Sequence, residues 1–586
     1  MPAGRRAGVA LLVYGLIAFL YFGVPVAAHP GRIEVGSATD PNIFIWSFAW
    51  WPHALLHGLN PIYTHTIWAP SGYNLAWATS IPGLAVAFAP LTLLAGPVVS
   101  YNAAAVLMPA LSAWTAFLLC HYLTRSIWPS LVGGYLFGFS SYMLGHEEGH
   151  LNLTAVFLVP VVALVILRFV DGGLSCRGAA WRLGVLLAAQ LSISTEVFGT
   201  LTLAIVASLA IAFGVLRPAR ERLRLLVGPI VSGYAIAAVL GSPLLYYVFT
   251  DFRSSAFGST RLFVTDMMNL VVPTPTAALG GDAASHVSAG FSGDNELERG
   301  AYLGLPILVI VALFLWQRRT RPVARFLAVS LGVAVVASFG SALHVHGRRI
   351  VPLPWSLVAR LPVFDNTYPT RVMVYTSLVT AVIVALWASS SGGFQWLRVV
   401  LSALAIASFI PNLGDHRWDQ TPHVPRFFAA GDYKTCLTPG ENVLAIPYGF
   451  HGHSLLWQAL SGFEFRLAGG QVGDEIPSSF ATSWAEAHVV AGLIAGGVPP
   501  EEGGSVVRLS TEKGVSTILV DRSDPWPRAS VLAGMGQPQS VGGVLLYSVD
   551  QRTASTSRAR CASLADDQLA VANPDRHIRE GVFEHL

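Results

Sequence analysis

The chain has 586 residues, of which 53% are hydrophobic and only 12% charged, and its mean hydropathy is +0.55. A soluble globular chain carries roughly twice that charged fraction, and an intrinsically disordered one combines low hydrophobicity with high net charge, so both classes are excluded. The net charge is +3, and the 36 Lys and Arg are spread as loop punctuation without a dense basic face, which leaves nucleic-acid binding without support.

Apolar windows in chain order fall at about 9–28, 100–122, 128–145, 151–168, 182–194, 197–216, 226–249, 301–317, 325–342, 371–390 and 396–411. This pattern predicts an all-α polytopic membrane protein of about 11 transmembrane helices, because only such helices satisfy their backbone inside lipid. Short basic loops mark the cytoplasmic side: Arg5 and Arg6, Arg125, the group Arg168, Arg177 and Arg182, the run Arg217 to Arg224, and Arg318 to Arg325. The N-terminus is then cytoplasmic. The loops 29–99, 251–300 and 343–370, and everything after about 411, are extracytoplasmic.

The first window, with its basic start and the small residues before His29, also has the form of a signal peptide, and cleavage would leave later loops on the same side. The apolar stretch from Ser80 to Gly96 is placed in the outer interface, since a crossing there would invert every later charge. After Pro411 the composition turns polar. Strand-like runs ENVLAIPYG, GVSTILVD and GGVLLYSVD, with a helical stretch near Trp484 to Ala495, predict an extracytoplasmic α/β domain over 412–586, loosely held from about Thr553. Cys436 and Cys561 both lie there, where an oxidising compartment permits a disulfide.

Four polar features interrupt the apolar pattern. Asp40 follows the first window, in a loop rich in Trp, His and Asn. Before Pro41 it reads as a helix N-cap, or as a general base at the water–membrane boundary that accepts a proton from a hydroxyl. The turn GHEEGHLN places His146, Glu147, Glu148, His150 and Asn152 between the third and fourth windows. It reads as the polar rim of a substrate cavity or as a solvated turn. HEEGH matches the bare zincin pattern, but Gly149 and the lack of an evident third ligand count against a zinc protease. Glu196 sits between two apolar runs, where an ionisable side chain faces a cavity or a partner. Arg371, with Arg360 in reserve, opens the tenth window and suits either a snorkelling role or a hold on a lipid phosphate. In 251–300 the charged residues Asp251, Arg253, Asp294, Glu296, Glu298 and Arg299 read as an ordinary solvated loop or as a lid.

This arrangement resembles the GT-C superfamily of membrane glycosyltransferases. A carboxylate follows the first span, interface helices precede the second, a polar turn joins the third and fourth, and a soluble domain follows the last. The stretches ERGAYLGLP, LPVFDNTYPTR and IPYGFHGHSLLWQALSGFEFRLAGG look more particularly like the YfhO-type bacterial membrane proteins. The resemblance implies a GT-C-like domain over 1–411 and an enzyme of the bacterial cell membrane. It would move a sugar, with inversion, from a polyprenyl-phosphate donor to an envelope glycan or lipid acceptor on the outer face. Asp40 matches the superfamily's catalytic carboxylate, and His146 to Asn152 match its second external loop. That loop is usually acidic, and the histidines here leave a divalent metal an open question. Tyr448, Phe450, Trp457 and Phe463 in the external domain suggest an acceptor surface or core packing. A lipid-linked sugar transporter or flippase and a non-catalytic envelope assembly protein are the competing readings.

Overall fold

The computed structural model describes residues 3–250, 263–293, 295–359, 367–392, 395–473, 476–496, 503–524 and 535–549, with positions 532, 559, 561, 563 and 564. Asp251, Arg253, Asp294 and Arg360 lie outside them. The chain divides into two compact units, 1–62 with 74–422, and 63–73 with 423–586.

The first unit is helical, and a helix lies on each of the eleven apolar windows. Among the described residues six are long and apolar enough to cross a membrane: Gly4–Ala27, Pro97–Thr124, Leu151–Val170, Thr195–Val215, Arg217–Leu240 and Pro369–Ala388. Shorter apolar helices lie at Leu305–Arg318, Pro322–Ser338 and Gln395–Ala407. Leu12, Leu94, Val239 and Trp316 are 74, 87, 73 and 68% exposed. Apolar side chains bared in this number suit lipid as the surrounding solvent. The centre of the unit is tight: on Ile127–Gly138, an added Cβ at Gly134 would lie 2.6 Å from the Ala113 carbonyl oxygen and one at Gly138 2.4 Å from Ala113 Cβ, so these glycines allow close approach to Pro97–Thr124.

The third window and the interface stretch 80–96 are each built from two short helices. The third is the helix Ile127–Gly138 followed, after Ser140, by the short helix Ser141–Glu147, whose start Ser140 caps by accepting from the Met143 amide at 3.3 Å. The stretch 80–96 forms Pro82–Ala87 and Ala89–Ala95, of 6 and 7 residues. Neither approaches the ~20 residues that a crossing needs, and Gly96 in the left-handed region then turns the chain into Pro97–Thr124.

The second unit carries a five-stranded sheet in the order Gln539–Val541, Val544–Ser548, Thr517–Asp521, Glu441–Ile446 and Phe465–Leu467. Glu441–Ile446 runs parallel to both neighbours, as the buried apolar run Val443 to Ile446 suits, and the other pairs are antiparallel. The three strand-like runs and the helix Trp484–Ile494 fall where the sequence puts them. The segment 63–73, read from sequence as part of the first external loop, belongs to this unit. Its residues follow the edge strand through Leu467 N–H to the Thr66 carbonyl at 2.8 Å and Ala69 N–H to the Leu467 carbonyl at 2.9 Å. Tyr448 and Trp457 are core residues, 2 and 1% exposed, and Phe450 and Phe463 are half-buried, so these four do not form an open aromatic surface.

Cys436 and Cys561 form a disulfide across 125 residues. Closing a loop of that length removes enough unfolded-state entropy that Cys436→Ser should cost the second unit about 5 kcal/mol. Denaturant unfolding of the two proteins, compared with the wild type under reductant, measures this.

Candidate active site

The four polar features meet in the first unit. Pro41 opens the helix Pro41–Leu56 as expected, but the Asp40 carboxylate caps no amide. Instead Asp40 Oδ2 lies 2.9 Å from His150 Nε2. His150 Nδ1 lies 2.9 Å from His146 Nδ1 and 3.8 Å from Glu298 Oε1. Glu298 continues the chain: Arg371 donates to it from Nε at 3.0 Å and from Nη2 at 2.5 Å, and from Nη1 to Glu196 Oε2 at 2.5 Å. The Arg371 guanidinium also stacks 4.3 Å over the Tyr368 ring. Asp40, His150, His146, Glu298, Arg371 and Glu196 therefore form one contiguous network.

Small residues bring these loops together. An added Cβ at Gly149 would lie 2.9 Å from Ala38 Cβ and 3.6 Å from Asp40 Cβ, so glycine there lets the histidine loop close on Asp40. At Gly145 it would lie 2.7 Å from the Leu297 carbonyl oxygen, and at Gly300 2.9 Å from Tyr142 Cα. These contacts set the turn Glu296–Glu298 against the helix Ser141–Glu147. Asn295 caps that turn through the Glu298 amide at 3.1 Å, and Thr370 donates to the Glu298 carbonyl at 2.8 Å.

Burial sets the charges. It opposes ionisation of Glu298, but the Arg371 guanidinium, bonded to it through Nε and Nη2, outweighs burial and holds that carboxyl at about 2. Burial also pushes His146 well below the usual imidazole range, against the pull of Glu298, so it is neutral. His150 bridges Asp40 and His146, its Nε2 facing the Asp40 carboxylate and its Nδ1 sharing a hydrogen bond with His146 Nδ1. Glu147 is 3% exposed, its carboxylate oxygens have no hydrogen-bond partner, and burial raises it well above the ordinary carboxyl range. Glu148 is raised to about 7 by burial against the opposing effect of Arg417, to which it is bonded at 3.2 Å. Asn152 is half-buried on the short helix Leu151–Thr154 and belongs to none of these ion pairs.

The ligand atoms of His146, His150 and Glu298 lie within 4.8 Å of one another. Around a tetrahedral ion with bonds of about 2.1 Å, donors stand about 3.4 Å apart, so the two imidazoles and the carboxylate fit a divalent transition ion after small movements. Glu298 is the third donor that HEEGH by itself did not reveal. Arg371, expected to hold a lipid phosphate, bonds through Nε, Nη1 and Nη2 to carboxylates here.

Two solved structures share this fold. The arabinofuranosyltransferase AftD from Mycobacteria superposes with a TM-score of 0.55 at 15% identity, over 93% of this chain and 40% of that one. The archaeal oligosaccharyltransferase AglB from Archaeoglobus fulgidus, in complex with an inhibitory peptide and a dolichol-phosphate, gives 0.52 at 12% identity, over 93% of this chain and 74% of that one. This chain thus spans well under half the length of AftD. Both are GT-C glycosyltransferases, and the architecture here is the GT-C membrane fold. No curated protein matches the sequence. The family model described as "Domain of unknown function (DUF6311)" matches residues 11–409, well over half of the chain, and the chain belongs to that family.

Proposed function

We propose that this chain is an integral membrane glycosyltransferase that moves a sugar from a polyprenyl-phosphate donor to an envelope glycan or lipid acceptor on the outer face. The observation that carries the reading is the Asp40 carboxylate, which leaves its helix uncapped and stands at the end of a buried histidine chain in a GT-C fold. Asp40 takes the proton of the acceptor hydroxyl as its oxygen attacks the anomeric carbon. The bond to the lipid phosphate breaks, and the configuration inverts. Phosphate leaves readily, so no strong general acid is required. Arg371 fixes Glu298 and Glu196 beside the histidine pair. A divalent ion bound by His146, His150 and Glu298 would supply neutralisation of phosphate charge.

The reading includes eleven crossings, a cytoplasmic N-terminus, and the domain after 411 outside the cell membrane. Two observations support it. Asp40, the histidine turn, Glu298 and Arg371 come from segments that the basic-loop pattern assigns to one side, and they meet. The disulfide suits an oxidising compartment.

The test is reconstitution in lipid nanodiscs with a panel of polyprenyl-phosphate sugars and envelope glycolipid, with transfer followed by mass spectrometry with and without chelator. Transfer by the wild type is the expected result. No transfer with any donor overturns the reading, and translocation of lipid-linked sugar in liposomes would then favour a flippase. Gly149→Ala should lower transfer by about 100-fold by forcing the loop of Asp40 away from His150. The fold should lose only about 1–3 kcal/mol, which thermal unfolding measures beside the rate.

A further inference from the structure

We propose that Arg417 is a positioning residue of this site, a guanidinium on the strap after the last apolar helix that locks together the three loops bearing Asp40, the histidine pair and Glu298. Its effect on rate rests on the transferase reading. Its effect on the loops does not.

Arg417 Nη1 donates to Glu148 Oε1 at 3.2 Å and to Glu296 Oε2 at 2.6 Å, and Nη2 donates to Asp415 Oδ2 at 2.6 Å. Glu148 stands two residues from both His146 and His150, and Glu296 two residues from Glu298, so one side chain ties two loops of the site to the strap. The strap reaches the third loop through its backbone and Gln420. Val35 pairs with Asp419 and Glu34 with Gln420 in a short antiparallel ladder. Gln420 Nε2 donates to Glu34 Oε1 and to the Ala38 carbonyl, each at 2.6 Å, two residues before Asp40. The Ser37 and Ala38 amides in turn donate to the Glu148 carbonyl at 3.1 and 3.2 Å, closing the ring.

The strap is itself anchored. Trp418 is 2% exposed, its indole N–H donates to the Asn412 carbonyl at 2.8 Å, and its ring packs 5.4 Å from that of Phe22. Arg417 has no bond to Asp40, either histidine or Glu298, so it acts through the loops and not on reacting atoms. The residue type matters because a planar fork reaches acids on several elements at once, whereas an ammonium is a single compact charge at the end of a flexible stem. Gly36 belongs to the same device. It sits at φ +94 with its would-be Cβ 2.3 Å from the Glu148 carbonyl oxygen, a conformation and a space that suit glycine alone.

Arg417→Lys keeps the charge and loses the fork. In nanodiscs, amide hydrogen exchange in 34–40, 145–151 and 295–299 should accelerate by roughly tenfold, while Pro97–Thr124 and Met373–Ala388 keep their protection. Transfer should show kcat reduced by about tenfold with donor KM changed by less than about twofold, since placement of the base is altered and donor binding is not. Arg417→Gln should move both readouts further in the same direction. Wild-type exchange in the three loops of both variants, or acceleration spread through the helices as well, overturns the proposal. If the wild type transfers no sugar, the transferase reading fails, and the exchange pattern alone decides whether Arg417 positions the loops.

Discussion

Asp40→Asn is expected to lower sugar transfer by about 10²–10⁴-fold, the range that a positioned general base contributes. The substitution is nearly isosteric, and the amide oxygen can still accept from His150 Nε2–H, so the 2.9 Å contact and the helix Pro41–Leu56 should survive. What is lost is the capacity to take the acceptor proton. Donor binding should be retained, and thermal unfolding should change little because the Asp40 side chain is 31% exposed. Initial-rate kinetics and donor binding on one nanodisc preparation separate these effects. Full transfer by the variant would remove Asp40 from the chemistry and direct attention to Glu148 and Glu196.

Arg371→Gln is expected to cost about 3–5 kcal/mol of stability, because it strands the buried carboxylate of Glu298 and the half-buried one of Glu196, whose side chains are 2 and 19% exposed. Glutamine has the reach but neither the charge nor the fork. Without Arg371 the Glu298 carboxyl loses the leading influence that holds it at about 2 against burial, and it should rise. The double substitution Arg371→Gln with Glu298→Gln should recover part of the loss, since it removes the stranded charge together with its partner. Thermal unfolding in nanodiscs of the wild type, both single variants and the double variant gives the coupling directly. Additive losses would show that the pair is not coupled.

Much of this site could be read from the sequence because membrane chemistry makes polar residues conspicuous. Each apolar window lies on a helix, as a backbone in lipid must satisfy its own hydrogen bonds. Against that background Asp40, Glu196, Arg371 and the turn His146 to Asn152 stand out, and all but Asn152 are joined in ion pairs or buried beside them. Glu298 and Arg417 do not stand out. Each lies in a polar stretch where charge is ordinary, and their roles come from close approach at Gly145 and Gly300 and from the pairing of residues 34–35 with 419–420.

The sequence by itself determined the solvent, the helices, the strand-like runs of the second unit and the residue types available for chemistry, because these follow from composition and local periodicity. Tertiary structure alone decided that Asp40 faces His150 instead of capping its helix, that Arg371 is committed to two carboxylates, and that 63–73 joins the second unit. Those outcomes depend on contacts between residues up to hundreds of positions apart, where a missing Cβ or one guanidinium selects which loops meet. No local pattern carries that information.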